Sequence, residues 1–333
     1  MRISLRSISD KIRAAMKRDN MRIRNAFKIA VANFSLVFKT LLFKAIAFAL
    51  FALIIGLILN VRLKPVLDCA AGIWEEIKAT FASAYAGQET SLVAVSDRLD
   101  KLTAYLSSNV GSLALTAVII IISSYAFRFV SGVSDCALII LVSEYMTGLS
   151  RPHFIATIIE NLKKILVYQL INALITLICD AVTVAVAIAL AKVLLGVSAL
   201  LSVFVVALTF VAVGALTRTV LSQIATNVLS GEGKTWALIV RGLKSEKGYF
   251  GKMYAEYLVL TVLILYFSLS VGVFTLGVGT LLFGPFAALL LACVKEVDYF
   301  TINKRKYFLH YDSIVVPKEL RENDENLLNE VDI

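Results

Sequence analysis

Histidine occurs only twice in this chain, at His153 and His310, and cysteine only four times, at Cys69, Cys136, Cys179 and Cys293. No Cys/His spacing resembles a zinc site, so no metal site is expected. The topology derived below leaves only Cys69 outside, which excludes an intramolecular external disulfide. Gly-rich phosphate loops, nucleophile elbows and paired His-Glu helices are also missing. Gly231-Glu232-Gly233-Lys234-Thr235 ends like a phosphate loop. It lacks the earlier glycine and the preceding strand, and reads as a turn before an amphipathic helix. No catalytic residue, no cofactor and no enzymatic activity are expected. No small-residue cleavage site follows Val61, so the first apolar stretch reads as an uncleaved anchor rather than a signal peptide.

What the chain has in abundance is apolar length. Apolar residues make up 59% of it, and the mean hydropathy is +0.83. Six stretches, at 41–61, 110–133, 165–191, 194–216, 253–274 and 276–294, reach or approach the roughly 20 residues that cross a ~30 Å hydrocarbon core. The expected fold is an all-α polytopic membrane protein of six transmembrane helices. They form three hairpins, each preceded by an amphipathic cytoplasmic helix. The remaining segments are a basic N-terminal stretch at 1–40, an external insertion at 62–109, amphipathic segments at 134–164 and 217–252, and a charged tail at 295–333.

Charge orients the spans. Between Met1 and Lys44 there are 11 Lys/Arg against Asp10 and Asp19. Excess Lys/Arg marks cytoplasmic flanks, which places the N-terminus inside. The 62–109 segment carries five Lys/Arg and six Asp/Glu and falls outside. Later short segments alternate in the same sense, and the tail with Lys304, Arg305 and Lys306 returns to the cytoplasm of a cell-membrane protein. The net charge of +9 is concentrated beside the first span. With no nucleic-acid fold pattern, the expected partner is anionic lipid headgroups, contacted by Arg13, Lys17, Arg18, Arg22 and Arg24.

An apolar run ending in Asn or Gly precedes each hairpin: Phe27–Phe34 with Asn33, Ile155–Lys163 with Asn161, and Trp236–Lys244 with Gly242. This self-similarity suggests one unit used three times, in parallel. Interfacial helices before spans also share this look without duplication. In the external insertion, Val66, Ala70, Ile73, Ile77 and Phe81 fall on one helix face, begun near Pro65. After a break at Ala86-Gly87-Gln88, Leu92, Val95, Leu99, Leu102 and Leu106 form a heptad seam. A helical hairpin over residues 64–108 results, packing on itself, on a second copy or on a membrane-protein partner.

Polar residues inside the spans are the candidate functional groups. Gln169, Asn172, Thr176, Asp180 and Thr183 follow at steps of three and four and share one face of the third span. A mid-span carboxylate costs about 2.5–3.5 kcal/mol on insertion scales, which marks Asp180 as functional by default. The lane lines a hydrated path or packs against neighbouring helices. Gly277, Gly279, Gly284 and Pro285 interrupt the sixth span.

Ser134-Asp135-Cys136-Ala137-Leu138 and Ser143-Glu144-Tyr145, within Leu115–Phe154, resemble the last hairpin and following segment of choline-transporter-like proteins. The entries at Asn33 and Asn161 are similar to that family too. The family's longer topology and large external loop are not matched, and no functional residue is carried over. The chain also resembles uncharacterised six-span proteins of bacteria. The expected function is to aid transport of a small solute or lipid without ATP hydrolysis. The alternative is a non-transporting scaffold or assembly subunit.

Overall fold

The computed structural model describes residues 22–85, 107–149, 153–196, 198–231, 233–245, 248–275, 277–310 and 313–316, with isolated positions between 96 and 104. Six helices are long and apolar enough, by length and composition, to cross a membrane. The chain is thus an all-helical multi-pass membrane protein, with three helix pairs each preceded by a short helix. Helix α1 (22–32) leads into α2 (Ser35–Tyr85), whose partner is α3 (Val110–Gly148). Helix α4 (Phe154–Glu160) leads into α5 (Leu162–Leu195) and α6 (Ala199–Ser230). Helix α7 (Thr235–Ser245) leads into α8 (Phe250–Phe274) and α9 (Val278–Ile302). Strands β1 (Tyr307–His310) and β2 (Ser313–Val315) close the described chain as an antiparallel hairpin.

Two of the three joints are built alike. At the α1–α2 joint the Asn33 side chain donates to the Ile29 carbonyl at 3.0 Å. At the α4–α5 joint the Asn161 side chain donates to the Thr157 carbonyl at 3.1 Å. In both, the residue's backbone N–H also bonds that carbonyl. The asparagine side chain thus gives that carbonyl a second donor and folds back onto the end of its helix. In the third short helix the matching position is Gly242, within α7, and it allows close approach to α6. A Cβ there would stand 2.9 Å from the Gln223 carbonyl oxygen and 3.0 Å from the Ile224 backbone. Ile29, Thr157 and Leu238, each four residues earlier, are all buried.

The chain divides into two compact units, residues 1–44 with 131–333, and residues 45–130. In the larger unit α6 is the hub, packing on α5, α7, α8 and α9. Its core lies at one end. It comprises the first turns of α2, α5 and α8 and the last turns of α3, α6 and α9, with α1 and α7 against them. Met253, Tyr257, Leu289, Val297 and Ile165 are fully enclosed there. Toward the other end of α5, α6, α8 and α9, large apolar side chains such as Val193, Phe204 and Phe274 face outward. Hydrocarbon is as apolar as these side chains, so such faces need no protein cover. At the α8–α9 turn Gly277 has φ 89°, a left-handed conformation suited to glycine. In the smaller unit, Phe48 and Phe51 of α2 meet the Phe127 ring of α3 edge-on, with centroids 6.0 and 5.7 Å apart.

Several boundaries differ from the sequence reading. Helix α2 runs unbroken through Pro65 to Tyr85, so the first span and the first arm of the external insertion are one 51-residue helix. The 134–148 portion continues α3 instead of forming part of a separate segment, and Cys136–Val142 is buried. Residues 217–230 complete α6, and 295–302 complete α9 instead of opening the tail. Hydropathy drops at polar residues, whereas a helix continues wherever those residues find protein partners. The heptad seam Leu92 to Leu106 lies outside the described residues, as do the side chains of Val66, Ala70 and Phe81.

Candidate functional site

The lane expected on α5 is a physical face. Gln169, Thr176 and Thr183 are buried, and Asn172 and Asp180 are partly buried. A continuous chain of side chains runs along it. Gln169 Nε2 donates to Cys136 Sγ of α3 at 3.0 Å, and Asn172 Nδ2 donates to Gln169 Oε1 at 3.3 Å. The Thr176 hydroxyl donates to Asn172 Oδ1 at 3.4 Å. Asp180 stands one turn further along. The Thr183 hydroxyl turns back to its own helix, donating to the Cys179 carbonyl at 2.7 Å. Gly132 of α3 makes room for the lane, since a Cβ there would collide with the Gln169 amide. Steps of three and four put Gln169, Asn172 and Thr176 within bonding reach of one another.

The basic residues separate. Arg24 is exposed, while Arg13, Lys17 and Arg18 lie outside the described residues. Arg22 carries its guanidinium inward. Its Nη1 is 3.7 Å from Glu256 Oε1 of α8 and 3.7 Å from Asp298 Oδ1 of α9. The three side chains are 15%, 8% and 0% exposed. Beside them Asn25 Nδ2 donates to the Tyr307 hydroxyl at 3.1 Å. Burial pushes the Tyr307 phenol above its usual pKa. One cation from α1 therefore ties together α8 and α9. Lys44 of α2 and Asp135 of α3 form a second, more exposed pair at 2.7 Å.

Asp298 escaped sequence reasoning because the sixth span was ended at residue 294, while Glu256 lies within the fifth span at 253–274 and no local pattern ties it to Arg22. A second polar face escaped with them. Thr219, Ser222, Gln223, Thr226 and Asn227, on the last turns of α6, are all buried. They fall on one helix face at 219, 222–223 and 226–227, and would have been found had the fourth span been read past residue 216.

Two clefts open at the packed end. One, of about 500 Å³, lies between α1 and the β-hairpin, lined by Phe27, Val31, Tyr145 and Leu309 with Lys28 and His310. The other, of about 240 Å³, is bounded by the last turns of α3, α6 and α9 and by the α4–α5 joint. Neither is lined by the α5 lane. Among the described residues no group of three or more His, Cys, Asp or Glu side chains is placed to hold a metal.

Fold and site together define a multi-pass helical membrane protein with a polar lane inside one span and an ion-paired cluster at one end. No family model, curated protein or solved structure matches the chain.

Proposed function

We propose that the protein aids the passage of a small solute, or of a lipid's polar part, across the membrane along the α5 lane, without hydrolysing ATP. The observation that carries this reading is the side-chain relay Gln169–Asn172–Thr176, which leads along the inward face of α5 toward Asp180. Amides and hydroxyls that bond one another can exchange those bonds for bonds to a passing polar group. A carboxylate at mid-span supplies the charge that selects it. The charge rule sets both termini in the cytoplasm of a cell-membrane protein, with the packed end inside. Arg24 and the basic segment before it then meet anionic headgroups.

A second reading is favoured by a different feature of the same lane. Gln169 and Thr176 are 2% and 3% exposed, and their polar groups already bond protein partners. That is the condition of a dry packing seam, which suits a scaffold or assembly subunit joining partners through the 64–108 hairpin. The matching joints at Asn33 and Asn161 support descent of the hairpins from one duplicated unit.

Cysteine substituted singly at Thr176, Asp180 and Thr183, in a background free of native cysteines, separates the two. The transport reading expects labelling by a small membrane-impermeant thiol reagent from one side. It also expects Asp180→Asn to abolish or redirect the flux of any solute found to move. A folded protein that labels from neither side overturns it in favour of the scaffold.

A further inference from the structure

We infer that the 500 Å³ cleft between α1 and the β-hairpin holds the headgroup of one anionic phospholipid, whose acyl chain follows an apolar stripe along α1 and α2. The site is separate from the α5 lane and does not rest on it. The stripe is Phe27, Val31, Phe34, Phe38 and Leu42, at steps of 4, 3, 4 and 4, and each of these side chains is exposed. Residues at such steps share one side of a helix. Phe27 and Val31 line the cleft, and Leu42 lies in the first membrane-spanning helix. The stripe thus joins the cleft to the outward face of a span. Acyl chains cover such a face in a bilayer, so they are the occupant that reaches the cleft. The second helix pair carries the same stripe, at Ile155, Ile159, Leu162, Leu166 and Leu170, also exposed. Where the first pair has Lys28 beside Phe27, the second has Ala156 beside Ile155. The stripe is therefore a shared way of facing lipid, and the cation at its head marks the first pair.

The polar part of the cleft selects the headgroup. Lys28 on α1 and His310 and Ser313 of the hairpin line it, and all three are exposed. Among the described residues lining it there is no Asp or Glu. A phosphodiester finds an ammonium for its charge and further donors for its oxygens. The extra ammonium of a zwitterionic headgroup finds no carboxylate, so a net-anionic lipid fits better. The walls are fixed before lipid arrives. The Phe27 and Phe34 rings meet Phe286 of α9, with centroids 6.3 and 6.1 Å apart. The Tyr145 hydroxyl of α3 donates to the Leu309 carbonyl at 3.3 Å, and Asn25 donates to the Tyr307 hydroxyl, which hold the hairpin to α3 and α1. The volume falls within the roughly 300–1,000 Å³ of small-molecule sites, room for a headgroup while the chain lies outside along the stripe.

The test is native mass spectrometry of the full chain in mild detergent, titrated separately with phosphatidylglycerol, phosphatidylcholine of the same acyl chains and glycerol 3-phosphate. The first phosphatidylglycerol is expected to bind roughly tenfold more tightly than phosphatidylcholine. Lys28→Gln should weaken it about fivefold, the contribution of one basic side chain beside anionic lipid, and leave phosphatidylcholine unmoved. Val31→Glu puts a carboxylate into the cleft and should weaken it by roughly tenfold. Ile159→Glu makes the same change on the second stripe and should leave the first lipid in place. Arg24→Gln, outside the lining, should cost less than Lys28→Gln. All four positions are exposed, and melting temperatures show that each variant is folded. Phosphatidylcholine binding as tightly as phosphatidylglycerol overturns the proposal, as does a Val31→Glu effect no larger than that of Ile159→Glu. Equal losses from Arg24→Gln and Lys28→Gln also overturn it, since the attraction then belongs to the basic segment as a whole. Glycerol 3-phosphate binding as tightly as phosphatidylglycerol overturns the lipid as the source of the phosphate.

Discussion

Arg22 shows how far one residue's role depends on what surrounds it. In the chain it is one of a run of basic residues, indistinguishable from Arg24. In the fold Arg24 is exposed and Arg22 faces two carboxylates. Breaking a buried ion pair by removing one partner costs about 3–5 kcal/mol, because buried charge is left without its counter-charge. Arg22→Met is therefore expected to lower unfolding stability in detergent by about that amount, measured by thermal or denaturant unfolding. Arg24→Met should stay within about 0.5 kcal/mol of wild type, as exposed substitutions do. Combining Arg22→Met with Glu256→Gln and Asp298→Asn should recover much of the loss. A triple variant no more stable than the single one would mean that the guanidinium acts by packing and not by charge.

Among the helices, the contact of α7 with α6 is one that a side chain at Gly242 would pry apart. A Cβ at Gly242 meets backbone of α6, which cannot swing aside as a side-chain tip can. Gly242→Ala should therefore destabilise by roughly 1–3 kcal/mol, the usual cost of overpacking. Gly251, on the first turn of α8, has open space around the same position. Gly251→Ala should be neutral or stabilising by up to about 1 kcal/mol, through helix propensity alone. Equal effects of the two alanines would show that α7 does not press on α6. The periodicity of the α7 stretch revealed its amphipathic face from sequence. That its glycine marks a helix–helix crossing could be learned only once Ile224 was found opposite it.

On the scale of the whole molecule, the charge rule and the packing lead to one expectation: the compact end, with both clefts and the Arg22 cluster, faces the cytoplasm. Single cysteines at Lys28 and Lys304 should be labelled by an impermeant reagent only after the membrane is opened, while one at Trp74 should be labelled in intact cells. Labelling of Lys28 from outside would invert the topology and place the packed end outside. The distribution of buried side chains also predicts where stability resides. Substitutions at Met253 or Leu289 to alanine should cost about 2–5 kcal/mol, as in other filled cores, while alanine at exposed Phe274 should cost far less in detergent.

Six long apolar helices, their succession as pairs and the short helix before each pair were legible in the sequence. All of these follow from the period and length of apolar runs, which are local quantities. The sequence read the ends of α3, α6 and α9 short, because hydropathy falls where Glu296, Asp298, Gln223 and Asn227 begin. Those residues remain helical and buried because other helices reach them. Which polar groups meet, Arg22 with Glu256 and Asp298 or Lys164 and Arg305 around one cleft, was decided by tertiary structure alone. Such pairs join residues more than a hundred positions apart, and no local pattern encodes which of many charges will share an enclosed space.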